Sequence, residues 1–364
     1  MSTGPCQPVL PGNALYTALT RAALAMGRLD QRLHAHPLLP AILFRERLEA
    51  ARVCASVDGH VIDPWHLAAV LEGLRPRLPG EDALERGGVI DSATVAFGHY
   101  QWLARPSAEQ APQIRDALAL LRAEANPVGP LLGAARGFHK WIDTGNSRAP
   151  MRSALIAFWQ ETRLLRVKLP LTAPQAFAAE TAWEKSSWLP RFLSCLAHEA
   201  EEMEVRITDM ERQWRHARLH DGACRSNSRA GTAIDLIAAF PLLSATSLAD
   251  KLGVSVKTAC ILLDRFLEKG IVIEVTHRSA RRLFALKGFE PLRDTIQPPR
   301  RPMPGRKRGR PRREVQQDPP PTAEQDRPLP ALGAPQPPGV SYADLEEAIA
   351  LVEAAISRMQ TTRV

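Results

Sequence analysis

The chain has 364 residues, 45% of them hydrophobic but only 5% aromatic, and a formal net charge of +8. Its length allows two or three domains with real cores, and its composition favours helices over sheets. No apolar run reaches membrane-spanning length, and the N-terminus lacks a basic region followed by an apolar stretch, which argues against membrane and secreted proteins. The five cysteines form no Cys-x-x-Cys pair, so no metal or other cofactor is expected. A reducing cytoplasm is the expected compartment.

The fold class is predicted to be mainly α. Residues 1–13 are expected to be flexible, and residues 14–225 to form an all-helical domain, because apolar positions recur at spacings of three and four. The clearest helix runs from Leu196 to Leu219, and its apolar stripe is expected to face the core because it is short for a coiled coil. The stripe consists of Ala200, Met203, Ile207, Met210 and Trp214. Breaks between helices are predicted at Pro64, Arg105–Pro106, Asn126–Pro127, Pro150 and Pro170.

Two segments of this region share features with an enzyme family. Cys54 and Asp58 stand four residues apart in the first, and the second reads His-Lys-Trp-Ile-Asp-Thr-Gly-Asn-Ser-Arg from His139. These segments resemble the inhibitory helix and the catalytic loop of the Fic family, helical enzymes that transfer AMP or related groups from nucleotides to protein hydroxyls. The resemblance implies a general base, a magnesium ligand and a phosphate cradle. The corresponding residues are His139, Asp143, and Gly145 with Asn146 and Arg148.

The loop departs from that family where the chemistry is least tolerant. Lys140 and Trp141 replace the family's Pro-Phe, Ser147 replaces its second small residue, and Thr144 is an additional residue before the glycine. One added residue displaces the following groups by up to about 3.5 Å, whereas catalytic groups must be held within about 0.5 Å. We therefore expect a helix-loop-helix junction without catalytic activity, with a Fic-type nucleotidyl transferase as the alternative.

A second unit, residues 231–286, predicts three short helices followed by a hairpin. Thr246 and Ser255 are predicted to cap the second and third helices, and Gly253 and Gly270 to end them. The predicted elements are helices Thr232–Phe240, Ser247–Leu252 and Val256–Lys269 and strands Ile271–Thr276 and Arg282–Leu286. This order resembles the bacterial winged helix-turn-helix family, whose members bind double-stranded DNA.

The resemblance implies two groups of DNA-binding residues. The third helix enters the major groove, and the wing meets phosphates or the adjacent minor groove. The residues are Lys257, Thr258 and Arg265 on the helix and His277, Arg278, Arg281 and Arg282 on the wing. Winged helices also dock other proteins, and Asp264 and Glu268 reduce the positive charge of this helix, so protein docking is the alternative use of the unit.

The positive charge of the chain is concentrated in a proline-rich segment, residues 287–340. Fourteen of the 31 prolines lie between Pro291 and Pro338, a composition that predicts a disordered linker. Eight of the 47 basic residues lie between 300 and 313, so the rest of the chain carries as many bases as its 39 acids. Arg308-Gly309-Arg310-Pro311 lies within this run and resembles the AT-hook, a segment that binds the minor groove of A·T-rich DNA.

The physics of the basic run, 304–313, supports that resemblance. Gly309 has no Cβ, so its backbone can approach the groove floor, and Pro311 keeps the chain extended. The minor groove of A·T pairs offers only acceptors, and a G·C pair adds a donor that opposes a guanidinium. The predicted contacts are Arg306, Arg308, Gly309, Arg310 and Arg312. A solvated basic linker that touches any polyanion is the alternative.

Residues 341–359 predict an amphipathic helix capped by Ser341. Its apolar seam needs a partner, either a second copy of the chain or a groove on the body of the protein, and both remain open. The seam consists of Tyr342, Leu345, Ile349, Val352, Ile356 and Met359.

The chain as a whole also resembles a family of uncharacterised proteins from rhizobia and their plasmids. The resemblance includes the Met151–Leu155 helix, the Leu169–Pro170 break and a C-terminal helix-turn-helix domain. It implies DNA binding and no known reaction. The sequence therefore predicts a cytoplasmic, nucleoid-associated DNA-binding protein that acts as a transcriptional regulator and is not an enzyme. An adaptor that docks a protein partner through 341–359 is a further alternative.

Overall fold

The structure is a computed structural model that describes residues 11–74, 88–221, 229–276, 282–286, 346–347 and 349–354. It is mainly helical, which confirms the predicted fold class. The helices are α1 (Pro11–Leu33), α2 (Leu39–Val57), α3 (Pro64–Leu71), α4 (Gly88–Ala104), α5 (Ala111–Ala125), α6 (Pro130–Asp143), α7 (Arg148–Glu161), α8 (Lys185–Asp221), α9 (Ala230–Ala239), α10 (Ala245–Leu252) and α11 (Val256–Glu268), with a 3-10 helix at Pro174–Phe177. The strands are β1 (Leu243–Ser244), β2 (Ile273–Glu274) and β3 (Leu283–Ala285).

Helices α1 to α8 form a body around the long helix α8. Helix α1 lies along α8, α2 packs on α4, and α5 packs on α6 and α7. Trp159 and Trp188 are completely buried in this core, and each indole N–H still has a partner. Trp159 donates to the carbonyl of Leu171 at 2.8 Å and Trp188 to that of Ala176 at 3.0 Å. These bonds fasten the segment between α7 and α8 to the core.

The predicted proline breaks separate helices with one exception. Pro64 begins α3, and the breaks at 105–106, 126–127 and 170 lie between helices. Pro150 was expected to end a helix but lies inside α7, which begins at Arg148. That prediction is wrong because the first turn of a helix has no intrahelical acceptors for its N–H groups, so proline is tolerated there.

Helix α8 is longer than the sequence predicts. It spans Lys185–Asp221, whereas the apolar pattern indicates a helix from Leu196 to Leu219. Pro190 lies inside the observed helix, where it removes one backbone hydrogen bond near the start. Burial of the neighbouring Trp188 and Phe192 offsets that cost. The predicted stripe faces the core as expected: Ala200, Met203, Ile207 and Met210 are buried and Trp214 packs against them.

The C-terminal elements α9 to β3 form a compact module. The three strands make an antiparallel sheet of order β1-β3-β2. The three predicted helices and both predicted strands are present with shifted ends, and β1 is an additional short strand. Ser244, and not Thr246, caps α10, because the Ser244 hydroxyl accepts the backbone N–H of Ser247 at 3.0 Å. Ser244 therefore ends β1 and also caps α10, which begins at Ala245.

The module packs directly on the body. Phe44 of α2 contacts the ring of Phe240 at the end of α9, with centroids 5.2 Å apart. Leu242, Val275 and Leu283 form a small apolar cluster with α3 residues, and this cluster continues the interface. The orientation of the module therefore depends on side-chain packing and not on a single covalent connection.

The C-terminal segment, residues 346–347 and 349–354, is helical and lies against the body. Ile349 and Glu353 are each 5% exposed. The Glu353 carboxylate accepts the Tyr100 hydroxyl at 2.8 Å and pairs with Arg47 and Arg105 at 3.3 and 2.6 Å. In the single chain the segment thus lies in a groove formed by α2, α4 and Arg105. A groove on the body of the protein is one of the two partners predicted for this helix.

Several predictions concern residues outside the described ranges. They include the flexible N-terminus up to residue 10, the linker 287–340 and most of the C-terminal seam. The wing residues His277, Arg278 and Arg281 and the tail residues Arg306, Arg308, Gly309, Arg310 and Arg312 also lie outside them. Within the described ranges, every helix is too short or too polar to traverse a lipid bilayer.

Candidate nucleic-acid interface

Helix α11 is positioned by local signals at both ends. Gly253 has a φ of +62°, a left-handed conformation that glycine adopts without strain, and it ends α10. The Ser255 hydroxyl then accepts the backbone N–H of Thr258 at 3.1 Å and caps α11. Ala259, Leu263 and Phe266 are fully buried, which fixes the rotation of the helix about its axis. The opposite face therefore points away from the module.

The open face of α11 changes character along the helix. Its first turns present Val256, Lys257, Thr258, Cys260 and Ile261, and its last turns present Asp264 and Glu268. Lys257 and Thr258 are exposed near the N-terminal end, as the sequence predicts. The partial positive charge of a helix N-terminus adds to that of Lys257, whereas the two carboxylates lie toward the other end. Only the first turns of α11 suit a polyanion.

Arg265 is less available than the sequence indicates. Its guanidinium pairs with the carboxylate of Asp221, the last residue of α8, and Lys269 pairs with the same carboxylate at 3.1 Å. The Asp221 side chain is only 4% exposed. The contact joins residues 44 positions apart, so no local pattern could predict it. Arg265 fastens α11 to the body.

Arg282 is the one predicted wing residue that lies in the described part of the chain. It pairs with Asp264 at 2.7 Å and with Glu274 at 2.9 Å, and its guanidinium lies 4.9 Å from the centroid of the Phe284 ring. Two carboxylates thus offset its charge. Arg282 bridges α11 and the sheet, and it can contact a phosphate only if that contact competes with these acids.

Lys251 of α10 is not a surface cation. Its ammonium lies 4.3 Å from the centroid of the Phe240 ring. Burial lowers the pKa of Lys251, and the carboxylates of Glu72 and Asp250 oppose that shift. Glu72 also accepts the hydroxyl of Ser247 at 3.1 Å. These contacts hold α10 against the end of α3.

The Fic-like segment runs from the last turns of α6 to the first residue of α7, and His139, on α6, is engaged at both ring nitrogens. Its Nδ1 lies 2.9 Å from Asp143 and its Nε2 lies 2.9 Å from the carbonyl oxygen of Trp183. The ring also stacks on Trp183 with centroids 4.6 Å apart. The indole N–H of Trp183 donates to Asp143 at 2.7 Å. Both ring nitrogens of His139 therefore already have partners within the protein, which join α6 to the segment before α8.

The remaining loop residues are divided between two environments. The Asn146 amide donates to Thr144 and to the carbonyl of Trp141, within its own loop. Arg148 instead pairs with Asp58 at 2.9 Å, and His99 contacts the other oxygen of Asp58 at 2.9 Å. The two segments that resemble the enzyme family therefore meet at Asp58 and Arg148. His139 contacts Asp143 and Trp183, whereas Arg148 contacts Asp58, so these two residues of the segment have no shared partner. The transferase alternative stays a prediction.

Sequence reasoning missed the buried arginine beneath this loop. Arg152 is 2% exposed, and its Nε and Nη2 have no hydrogen-bond partner. Its guanidinium lies 5.9 Å from the centroid of the Phe177 ring. Burial lowers the pKa of His99, Arg152 adds to that shift, and Asp58 opposes it. Arginine is rarely buried without a partner, so no sequence pattern would have placed it there.

Comparison with known proteins adds no functional assignment. No protein-family model matches the chain, and no curated protein matches it. The candidate interface is therefore argued from α11 and its surroundings alone. Among the described residues, no group of three or more His, Cys, Asp or Glu side chains is arranged to hold a metal ion.

Proposed function

We propose that the protein binds double-stranded DNA and regulates transcription. The observation that carries the proposal is the exposed first half of α11, with Lys257 and Thr258, on a helix held by a capped turn and a three-stranded sheet. This order of elements resembles that of a winged helix-turn-helix, in which the third helix reads base edges in the major groove. The protein is proposed to act in the cytoplasm, associated with the nucleoid.

The basic run at 304–313 is proposed as a second contact, in A·T-rich minor groove. A tail that neutralises about five phosphates gives a log-log salt slope of about −4 to −5. Two weak contacts on one chain act together, because binding of the first raises the effective concentration of the second. The proposed tail contributes affinity and preference for base composition, and α11 contributes sequence preference.

Lys257→Ala tests the major-groove contact. One duplex is selected by the full chain from a random pool, and the other has a random sequence. We expect the difference in binding free energy between the two to fall by about 1–3 kcal/mol, while low-salt binding to any duplex persists. Fluorescence anisotropy with labelled duplexes over a salt series measures both quantities. Arg265→Ala is a poorer test, because that change also removes a partner of buried Asp221.

Lys185→Ala is the matched control for that variant. Lys185 is exposed and begins α8, whose 37 residues place it about 54 Å from the end that touches α11. The control should bind both duplexes as the unchanged protein does. Equal loss of preference in both lysine variants, or none in Lys257→Ala, would show that α11 is not the reading surface.

A genome-wide map of bound DNA separates the roles of module and tail. The full chain is compared with a variant that lacks residues 300–313. We expect the variant to keep its preferred sites with weaker occupancy. If the sites themselves change, the tail selects them and the proposed division of labour is wrong.

A further inference from the structure

Two large apolar side chains are exposed on the proposed reading helix. Ile261 is 60% exposed and Val256 is 46% exposed, although the other face of α11 is fully buried. Ile261 lies one turn after Lys257 on the same stripe of the helix, because residues four apart are neighbours. Ile261 is therefore the exposed apolar side chain beside Lys257, whereas Val256 lies about 140° away from Ile261 around the helix axis.

The polar groups of α11 offer few ways to read a base. Arginine reads guanine and asparagine or glutamine reads adenine through paired hydrogen bonds. The helix contains neither asparagine nor glutamine, and its single arginine, Arg265, is paired with Asp221. Lys257 and Thr258 remain as donors. Ile261 offers an apolar contact to the 5-methyl group of thymine, a further base-specific feature of the major groove.

We propose that α11 recognises thymine methyl groups through Ile261. The inference rests on the proposed DNA binding and names the base chemistry that the same helix reads. On the same face, Asp264 is paired with Arg282 and the exposed carboxylate of Glu268 on the last turn disfavours phosphates, so Ile261 beside Lys257 is the apolar position suited to the groove. Burial of one methyl group there changes affinity on the order of fourfold.

Replacement of thymine by uracil tests the proposal directly. The probe is a duplex selected from a random pool by the full chain, remade with deoxyuridine at each thymine in turn. Uracil keeps the base pairing and the minor-groove acceptors, so contacts of the tail are preserved. We expect a loss on the order of fourfold at one or more positions. In Ile261→Ala the thymine duplex should bind more weakly, and uracil should have no further effect at those positions.

Val205→Ala is the matched control, because Val205 is 62% exposed on α8 and away from α11. It should show the full response to uracil. Binding of duplex DNA with no response to uracil at any position overturns the methyl contact alone. A response that is equal in the unchanged protein and in Ile261→Ala also overturns it. Failure to retain any duplex in dilute buffer overturns the proposed function itself, so the two failures are distinguishable.

Discussion

Glu199 is a carboxyl group whose surroundings change its proton affinity. It lies on α8 and accepts the backbone N–H groups of Thr172 and Ala173 at 2.9 and 2.7 Å. Ala173 has a φ of +48°, a left-handed conformation that is uncommon for alanine, and the bond to Glu199 holds it there. Burial raises the pKa of Glu199 to about 7, against the opposing effect of these two bonds. The carboxyl thus anchors the segment between α7 and α8.

The raised pKa predicts a pH dependence of stability. The folded state holds a proton that the unfolded carboxyl, with its ordinary pKa of 4.5, releases at lower pH. The folded protein therefore loses stability as the pH rises from about 4.5 to about 7, by on the order of 2 kcal/mol from this group. The difference in the free energy of unfolding between pH 5 and pH 8, measured with urea, should be smaller in Glu199→Gln than in the unchanged protein. Glu202→Gln, at an exposed position, should retain the full difference, and an equal difference in all three proteins would contradict the assignment.

The contact between α5 and α6 depends on a glycine. A Cβ atom on Gly133 would lie 2.3 Å from the Cα of Ala125, closer than two non-bonded carbon atoms can approach. Gly133→Ala should therefore separate the two helices and lower the free energy of unfolding by about 1–3 kcal/mol. Gly27→Ala, in the middle of α1 with open space around it, should stabilise the protein by about 0.5–1 kcal/mol. Chemical denaturation measures both, and a stable Gly133→Ala would show that the helices are farther apart.

Elements with local signals were predictable from the sequence, and contacts between distant residues were not. Gly253 and Ser255 mark the turn before α11 within three residues, so that turn was found. The pairing of Arg265 with Asp221 depends on the packing of α8 beside α11, and the sequence therefore presented Arg265 as a free cation. Trp183 was missed for the same reason, because its stacking on His139 follows from the path of the chain between α7 and α8.

At the scale of the whole molecule, α2 connects the C-terminal segment to the DNA-binding candidate. Its Phe44 contacts Tyr100, with centroids 6.1 Å apart, and also contacts Phe240 of the module. The Tyr100 hydroxyl donates in turn to Glu353. The apolar pattern of 341–359 predicted Ile349 as a buried position. The same pattern did not predict that Glu353 is buried, because a carboxylate is buried only where cations and donors from other helices surround it.

Glu353→Gln tests whether the segment belongs to the body of its own chain. The change preserves shape but removes the charge that pairs with Arg47 and Arg105, so the free energy of unfolding should fall by about 1–3 kcal/mol. Glu347→Gln is the matched control, because Glu347 is exposed on the same segment. Thermal unfolding measures stability and light scattering measures the oligomeric state. Lower stability with an unchanged oligomeric state is expected from a groove within one chain. Loss of a dimer at unchanged monomer stability would instead show that the helix pairs with a second copy.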